Sequence, residues 1–171
     1  PVQRMALACV GDALEDANAL GDNKNLDRSR VAVILGNSMG GEFTDDYAVR
    51  VRYPAIRKAL EEIPGFAALP NAQRVQILEA LETSIKADLP PITEDSMPGE
   101  LSNVIAGRVA NAFDLGGPNF TVDAACASSL AAIQAAVKGL QDGDFDMAVT
   151  GGVDRSMGVP TYSKFCKIGA L

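Results

Sequence analysis

Cys126 is the residue whose type and setting most clearly suggest chemistry in this sequence. It lies between a predicted strand over 119–124 and a predicted helix over 128–140. A helix N-terminus offers unpaired N–H groups and the positive end of the helix dipole, and both favour a reactive thiolate over a thiol. The same N–H groups can bind the oxyanion of a thioester intermediate. The alternative is a small core residue, which is the usual role of a cysteine among alanines.

A second candidate nucleophile, Ser38, lies in the G-x-S-x-G sequence of residues 36–40, directly after the apolar strand predicted over 31–35. In that position the pattern is typical of the nucleophile elbow of an α/β-hydrolase. The hydrolase triad needs a histidine, and this sequence has none, but a later segment could supply one, so the missing histidine does not decide against a hydrolase by itself. No mechanism that uses an imidazole base can therefore be completed within these 171 residues.

Composition and cysteine spacing exclude several classes of partner. Lys and Arg total 15 against 22 Asp and Glu, for a net charge of −7, and no basic cluster exists. This acidity argues against nucleic acid and against anionic membranes, and no apolar run is long enough to span a bilayer. The spacings of Cys9, Cys126 and Cys166 match no metal-ligand pattern, and their odd number suits free thiols in the cytoplasm. We interpret Cys9, on the apolar face of the first helix, as structural and Cys166 as incidental.

Hydrophobic spacing predicts an α/β layered fold. The predicted helices cover 2–19, 47–63 with an interruption at Pro54, 71–86, 99–112 and 128–140, and the predicted strands cover 31–35, 119–124 and 146–150. Residues 45–95 are interpreted as a helical insertion outside the core. The helix over 128–140 is apolar around most of its circumference, which predicts that it is buried and that Cys126 lies at the bottom of a pocket suited to a long apolar substrate arm.

Several ordered segments resemble the β-ketoacyl synthases, the condensing enzymes of fatty-acid and polyketide synthesis. The active-site segment is Val122-Asp-Ala-Ala-Cys-Ala-Ser-Ser-Leu130. The others are Pro1-Val-Gln-Arg4 with Gly11-Asp-Ala-Leu-Glu-Asp16, Val33-Ile-Leu-Gly-Asn-Ser-Met-Gly-Gly41, Pro98-Gly-Glu-Leu-Ser-Asn-Val-Ile-Ala-Gly-Arg108, Asp146-Met-Ala-Val-Thr-Gly-Gly-Val-Asp154 and Phe165-Cys-Lys-Ile-Gly-Ala-Leu171. They cover nearly the whole chain except the insertion. The combination of Met97-Pro-Gly99 with Val122-Asp-Ala-Ala-Cys126, after an insertion that contains Arg52-Tyr-Pro54, is most similar to synthases of bacterial polyunsaturated-fatty-acid and related iterative type I polyketide systems.

The resemblance implies a thiolase-like layered fold, with helices around a mixed sheet and a buried central helix, of which residues 1–171 are the N-terminal half. It implies that Cys126 accepts an acyl chain from acyl carrier protein, and that a malonyl-carrier protein then loses CO₂ and condenses with that chain. No cofactor is expected to bind directly, since the substrates are carried on the phosphopantetheine of the carrier protein. The family's two histidines and a Gly-rich loop come from a later segment, so we expect a fragment that is inactive by itself.

Further residues take roles only through the resemblance. Met39 matches a position that gates the acyl tunnel, a role that suits a flexible thioether, with ordinary packing as the alternative. Residues 119–124 match a strand that pairs with its twin in a homodimer, with Ser96 and Met97 reaching towards the partner's pocket, and the alternative is an internal strand. Asp123 could orient the active-site loop or only end the strand. The second hypothesis for the whole chain is a non-catalytic structural or dimerisation fragment of such a synthase.

Overall fold

The computed structural model describes residues 1–21, 26–39, 43–155 and 158–170, so Gly40, Gly41 and Leu171 of the motifs lie outside the described residues. The elements in chain order are α1 (Val2–Asp16), a 3₁₀ turn (Arg28–Arg30), β1 (Val31–Gly36), α2 (Thr44–Glu61), α3 (Pro64–Ala67), α4 (Asn71–Ala87), α5 (Ser96–Glu100), α6 (Ser102–Ala112), β2 (Asn119–Val122), α7 (Ser128–Asp142), β3 (Met147–Gly152) and α8 (Val159–Lys167). They form two compact units, one from residues 1–42 with 97–171 and the other from residues 43–96.

The first unit is built on a three-stranded sheet in the order β2-β1-β3. Strand β1 pairs in parallel with both neighbours, and all six of its residues are buried. A strand that is covered on both faces needs apolar residues at every position, which explains the unbroken run from Val31 to Leu35. The three described strands are all parallel, so the prediction of a mixed sheet is not met. Helical crossovers such as α7, which connects β2 to β3, allow this parallel pairing.

Alternate residues of β1 enter two different cores. Val31, Val33 and Leu35 pack with α1 and α6 in a larger cluster, and Ala32 and Ile34 pack with α7 in a smaller one. The period of two along a strand sends successive side chains to opposite faces, so one buried strand organises both layers. The α1 side is filled by Val2, Ala6, Val10 and Leu14, and the α6 side by Ile105, Ala106, Val109 and Ala110.

Helix α7 buries one face only, and the prediction of an all-round buried helix is wrong for the chain as it stands. Its buried residues are Ser128, Ala132, Ala136 and Gly139, which follow helical spacing and face the sheet. On the opposite side Leu130 is 71% exposed, and Ile133, Val137 and Leu140 are exposed too. The sheet covers one side of the helix, and the apolar residues on the other side remain in contact with solvent.

Two other boundaries differ from the sequence predictions. The helix predicted over 99–112 is two helices, α5 and α6, because Leu101 between them has an extended backbone (φ −75°, ψ 116°). Helix α1 ends at Asp16, earlier than predicted, and Asn18 adopts the left-handed conformation that commonly closes a helix. Helix α8 was not predicted, although Gly158 and Pro160 supply a sequence signal for a helix start.

The second unit contains α2, α3 and α4, and both predicted long helices are present. Pro54 lies inside α2 and does not end it. The buried Tyr53 hydroxyl donates to the Leu78 carbonyl at 3.0 Å, which joins α2 to α4. The Arg50 guanidinium donates to the Leu89 carbonyl at 3.2 Å, just beyond the C-terminus of α4. In the part of the chain that the structure describes, no helix is both long and apolar enough to cross a membrane.

Candidate active site

The carboxyl ends of the three strands meet at one edge of the sheet. Gly36, at the end of β1, is the register partner of both Val122 in β2 and Gly152 in β3. The N–H of Asn37 donates to the Val122 carbonyl at 3.1 Å, and the N–H of Val153 donates to the Gly36 carbonyl at 2.9 Å. The loops that leave the strands therefore begin side by side, at the edge where α/β sheets bind ligands.

A cleft of about 630 Å³ opens at this edge. It is bounded by the loop after β1, the turn between β2 and α7, the loop after β3 and one side of α8. The lining residues are Gly36, Asn37, Ser38, Met39, Ala125, Cys126, Ser128, Ser129, Gly152, Val153, Asp154, Thr161, Tyr162 and Phe165. Its volume is in the range of small-molecule sites, and its aromatic and aliphatic side chains suit an apolar ligand with few polar groups.

Cys126 lines this cleft, and its thiol is exposed. It lies four residues after the end of β2 and two before the start of α7. The positive end of the helix dipole is therefore close to the thiol, which is the setting in which cysteines act as nucleophiles. The predicted deep burial of Cys126 is wrong for these residues, since Cys126 is exposed where it lines the cleft.

The turn that presents Cys126 is strained and firmly held. Ala125 has φ +50°, in the left-handed region that disfavours a residue with a Cβ. The Asp123 carboxylate accepts from the Ala125 N–H at 2.9 Å. The Ser128 hydroxyl accepts from the Ala124 N–H at 2.9 Å and donates to the Ala125 carbonyl at 2.6 Å. Of the two roles considered for Asp123, this contact corresponds to orienting the active-site loop. Strand β2 ends at Val122, one residue before Asp123.

Glycines at the strand ends let the first turn of α7 approach the sheet closely. A Cβ on Gly36 would lie 2.4 Å from the carbonyl carbon of Ser128, and a Cβ on Gly152 would lie 2.7 Å from the Cβ of Ser129. Neither distance is compatible with a side chain larger than hydrogen. The two glycines therefore fix the position of the helix N-terminus next to Cys126.

Met39 and Cys126 line the same cleft from different loops. Met39 is half exposed and has φ +68°, so this short loop is also in a left-handed conformation. Ser38 lines the cleft as well, but the next described helix after β1 begins only at Thr44. The strand–turn–helix geometry of a nucleophile elbow therefore belongs to Cys126, and not to Ser38.

Sequence reasoning missed three contributors to this site. Asn37 is 3% exposed, and its side-chain amide donates to the Val153 carbonyl at 2.8 Å. Ser128 was interpreted only as part of the family motif, and α8 was not recognised as a helix. A polar residue directly after a fully apolar strand is the one signal that points to Asn37, because a buried amide needs partners from neighbouring loops.

The other cysteines lie elsewhere. Cys9 is exposed on α1, so its predicted place on the buried face is wrong; the buried residues of α1 are Val2, Gln3, Ala6, Val10 and Leu14. Cys166 on α8 is also exposed. Within the described ranges no three acidic, cysteine or histidine side chains are grouped so that they could hold a metal ion. Cys126 is the cysteine among the cleft-lining residues.

Comparison with known proteins shows the family of the chain. Residues 1–171 match the family model described as the β-ketoacyl synthase N-terminal domain. The chain is 36% identical over 165 residues to a polyunsaturated fatty acid synthase component of Thraustochytrium sp., a match that covers 96% of this chain and 6% of that protein. It is 34% identical over 120 residues to the polyketide synthase component of compactin nonaketide synthase from Penicillium citrinum, covering 70% of this chain and 4% of that protein.

Solved structures share the fold. The oxazolomycin ketosynthase domain OzmH KS7 of Streptomyces albus matches 99% of this chain with a TM-score of 0.59 and 24% identity, over 22% of its own chain. A ketosynthase from module 6 of the bacillaene synthase of Bacillus subtilis matches with the same TM-score and 22% identity, over 21% of its chain. The fold is therefore the thiolase-like fold of ketosynthases in its N-terminal portion, as the sequence predicted. From the family match over its whole length, the chain belongs to the β-ketoacyl synthases and is a ketosynthase N-terminal domain of the fatty-acid and polyketide synthase type.

Proposed function

We propose that Cys126 is the nucleophile that accepts an acyl chain from acyl carrier protein for decarboxylative Claisen condensation. The observation that carries the proposal is an exposed thiol on a strand–turn–helix elbow, in the wall of a cleft of about 630 Å³. In the transfer step the Cys126 sulfur attacks the thioester carbonyl carbon. A carbon–sulfur bond to Cys126 forms, the bond to the phosphopantetheine sulfur breaks, and the proton from the cysteine passes to the departing thiol.

The later steps need groups from outside this chain. A malonyl-carrier protein loses CO₂, and the carbanion that forms attacks the acyl-Cys126 carbonyl and releases the cysteine. The sequence has no histidine that could assist decarboxylation. We therefore assign to this chain the acyl-accepting half of the reaction and expect the condensing half to need the remainder of a synthase. The chain binds no cofactor of its own in this proposal, because the substrates arrive on phosphopantetheine.

The apolar residues of the cleft can contact an acyl chain held on Cys126. Met39 in the loop after β1 and Phe165 in α8 offer apolar contacts, and the flexible thioether of Met39 can adjust to chains of different length. We assign Met39 to substrate binding on this basis. A cytoplasmic location is part of the same proposal. So is the absence of nucleic-acid and membrane partners, which the net charge of −7 supports.

Acyl transfer is tested directly by mass spectrometry. The chain with Cys9 and Cys166 replaced by serine is incubated with a long-chain acyl thioester of pantetheine, and the acylated residue is mapped by peptide digestion. We expect a single acyl group on Cys126 and none in the Cys126→Ser variant. In the chain with all three cysteines, equal acylation of Cys9, Cys126 and Cys166 would contradict the proposal, because all three are exposed and Cys126 differs from the others by its place on the elbow and in the cleft.

A second candidate function, dimerisation, is favoured by the position of β2. This strand is at the edge of the three-stranded sheet, and Phe120 in it is 42% exposed. An edge strand with unpaired backbone groups is able to pair with another strand. We propose that β2 pairs with its counterpart in a homodimer. This proposal does not depend on the reactivity of Cys126.

A further inference from the structure

Ala125 has a left-handed backbone conformation, and the proposed reaction of Cys126 does not explain what stabilises it. A left-handed backbone at an alanine persists only where surrounding contacts determine it. Ala125 immediately precedes Cys126, so its φ of +50° sets the direction in which the chain carries the thiol. Whatever holds Ala125 in this conformation also holds the thiol at the cleft.

The side chain of Ser128 supplies that hold. Its hydroxyl accepts from the Ala124 N–H and donates its single hydrogen to the Ala125 carbonyl. One partner belongs to the residue before Ala125 and the other to Ala125 itself. Because Ser128 is only 6% exposed, water does not readily replace either bond. The Ser128 N–H also donates to the Ala125 carbonyl, at 3.0 Å.

Ser128 is itself immobilised by the sheet. It is the first residue of α7, and its carbonyl group lies against Gly36, where even a methyl group would not fit. The position of the Ser128 hydroxyl is therefore set by the packing of α7 on the sheet, and its hydrogen bonds hold the turn at Ala124 and Ala125 in place. The Asp123 carboxylate adds a fourth bond, which it accepts from the Ala125 N–H, but from an exposed position on the strand side.

We propose that Ser128 is a positioning residue for Cys126: its hydroxyl holds Ala124 and Ala125 in the strained turn that presents the thiol to the cleft. The inference rests on the proposed nucleophilic role of Cys126. It assigns Ser128 no contact with the substrate and no part in proton transfer. Its effect is on how often the thiol occupies the reactive position.

The test uses the chain with Cys9 and Cys166 replaced by serine and measures Cys126 acylation by a pantetheine thioester as a function of thioester concentration. We expect Ser128→Ala to lower the maximal acylation rate about tenfold, which corresponds to one or two lost hydrogen bonds. The half-saturating thioester concentration should stay within about twofold, because Ser128 is only 6% exposed and its replacement by alanine alters little of the cleft surface. Ser163→Ala, an exposed serine on α8 outside the cleft, is the matched control and should leave both values unchanged.

Rescue by glycine separates positioning from a general structural role. Glycine adopts a positive φ without strain, so Ala125→Gly combined with Ser128→Ala should recover much of the lost rate. If Ser128→Ala leaves the maximal rate unchanged, or lowers it together with thermal stability and without rescue by Ala125→Gly, the inference is overturned. If Cys126 in the parent chain is not acylated at all, the proposed function fails first, and that result is distinct from both of these.

Discussion

The hydroxyl of Ser102 donates to the side-chain oxygen of Asn37 at 2.6 Å and so connects the start of α6 to the loop after β1. The same Asn37 side chain donates to the Val153 carbonyl in the loop after β3. A single buried amide therefore joins three segments, two of which line the cleft. Because neither end of a buried amide can be left without a partner at low cost, this side chain defines how those segments are spaced.

Replacing Asn37 by alanine should destabilise the first unit by about 1–3 kcal/mol, since the Val153 carbonyl and the Ser102 hydroxyl both lose a partner. Urea unfolding measures the loss. Ser102→Ala should cost less, about 0.5–1.5 kcal/mol. In the double variant the two effects should not add, because the residues are in direct contact. Strict additivity would show that the bond contributes nothing.

Gly36→Ala should be among the more damaging changes available in the first unit. The added methyl would lie 2.4 Å from the carbonyl carbon of Ser128, and backbone on both sides would have to move. We expect a loss of about 1–3 kcal/mol in unfolding free energy and slower reaction of Cys126. Gly99→Ala is the control, since nothing lies within 4 Å of the methyl it would add. Equal stability of the two variants would contradict the close packing of α7 on β1.

The ion pair at the opposite edge of the sheet predicts a pH dependence. Arg30 donates two hydrogen bonds of 2.8 Å to Asp146, one to each carboxylate oxygen. These bonds lower the pKa of Asp146 and raise the pKa of Arg30. A carboxyl group whose pKa is lowered by folding adds stability above its unfolded pKa, near 4, and that stability is lost as the pH falls through the folded value.

Asp146→Asn should therefore destabilise the chain slightly at pH 7 and progressively less as the pH is lowered below about 4. Both side chains are exposed, so the effect is small and added salt should reduce it. Urea midpoints of both proteins at pH 7 and pH 3, at low and high salt, measure it. A difference that grows towards pH 3 would contradict the assignment.

Thr121→Pro tests pairing through β2. The Val33 N–H donates to the Pro118 carbonyl and the Asn37 N–H to the Val122 carbonyl, so in a parallel ladder the backbone groups of Thr121 point away from β1. Proline at this position removes an outward donor and leaves the contacts with β1 intact. We expect a shift from dimer to monomer in analytical ultracentrifugation, with Thr121→Val as the control that stays dimeric. An unchanged sedimentation coefficient for Thr121→Pro would count against β2 as the interface.

Several elements could be predicted because their signals are local. The apolar run of β1, the stripe of α4 and the elbow sequence around Cys126 each depend on periodicity or on residue order within a short window. The two sides of α7 could not be distinguished in this way. Leu130 and Ala132 are both apolar, and only the direction of the sheet decides that Ala132 is fully buried and Leu130 is 71% exposed.

The sequence by itself determined the family, the order of strand, Cys126 and helix, and the lack of a histidine in these residues. Only the tertiary structure decided that Met39, Asn37 and Cys126 line one cleft, since these residues come from loops that are brought together by strand pairing. It also decided the role of Ser128, whose hydroxyl holds the turn before Cys126. The physical reason is that hydrogen bonding and close approach depend on distances between segments, which local sequence patterns do not encode.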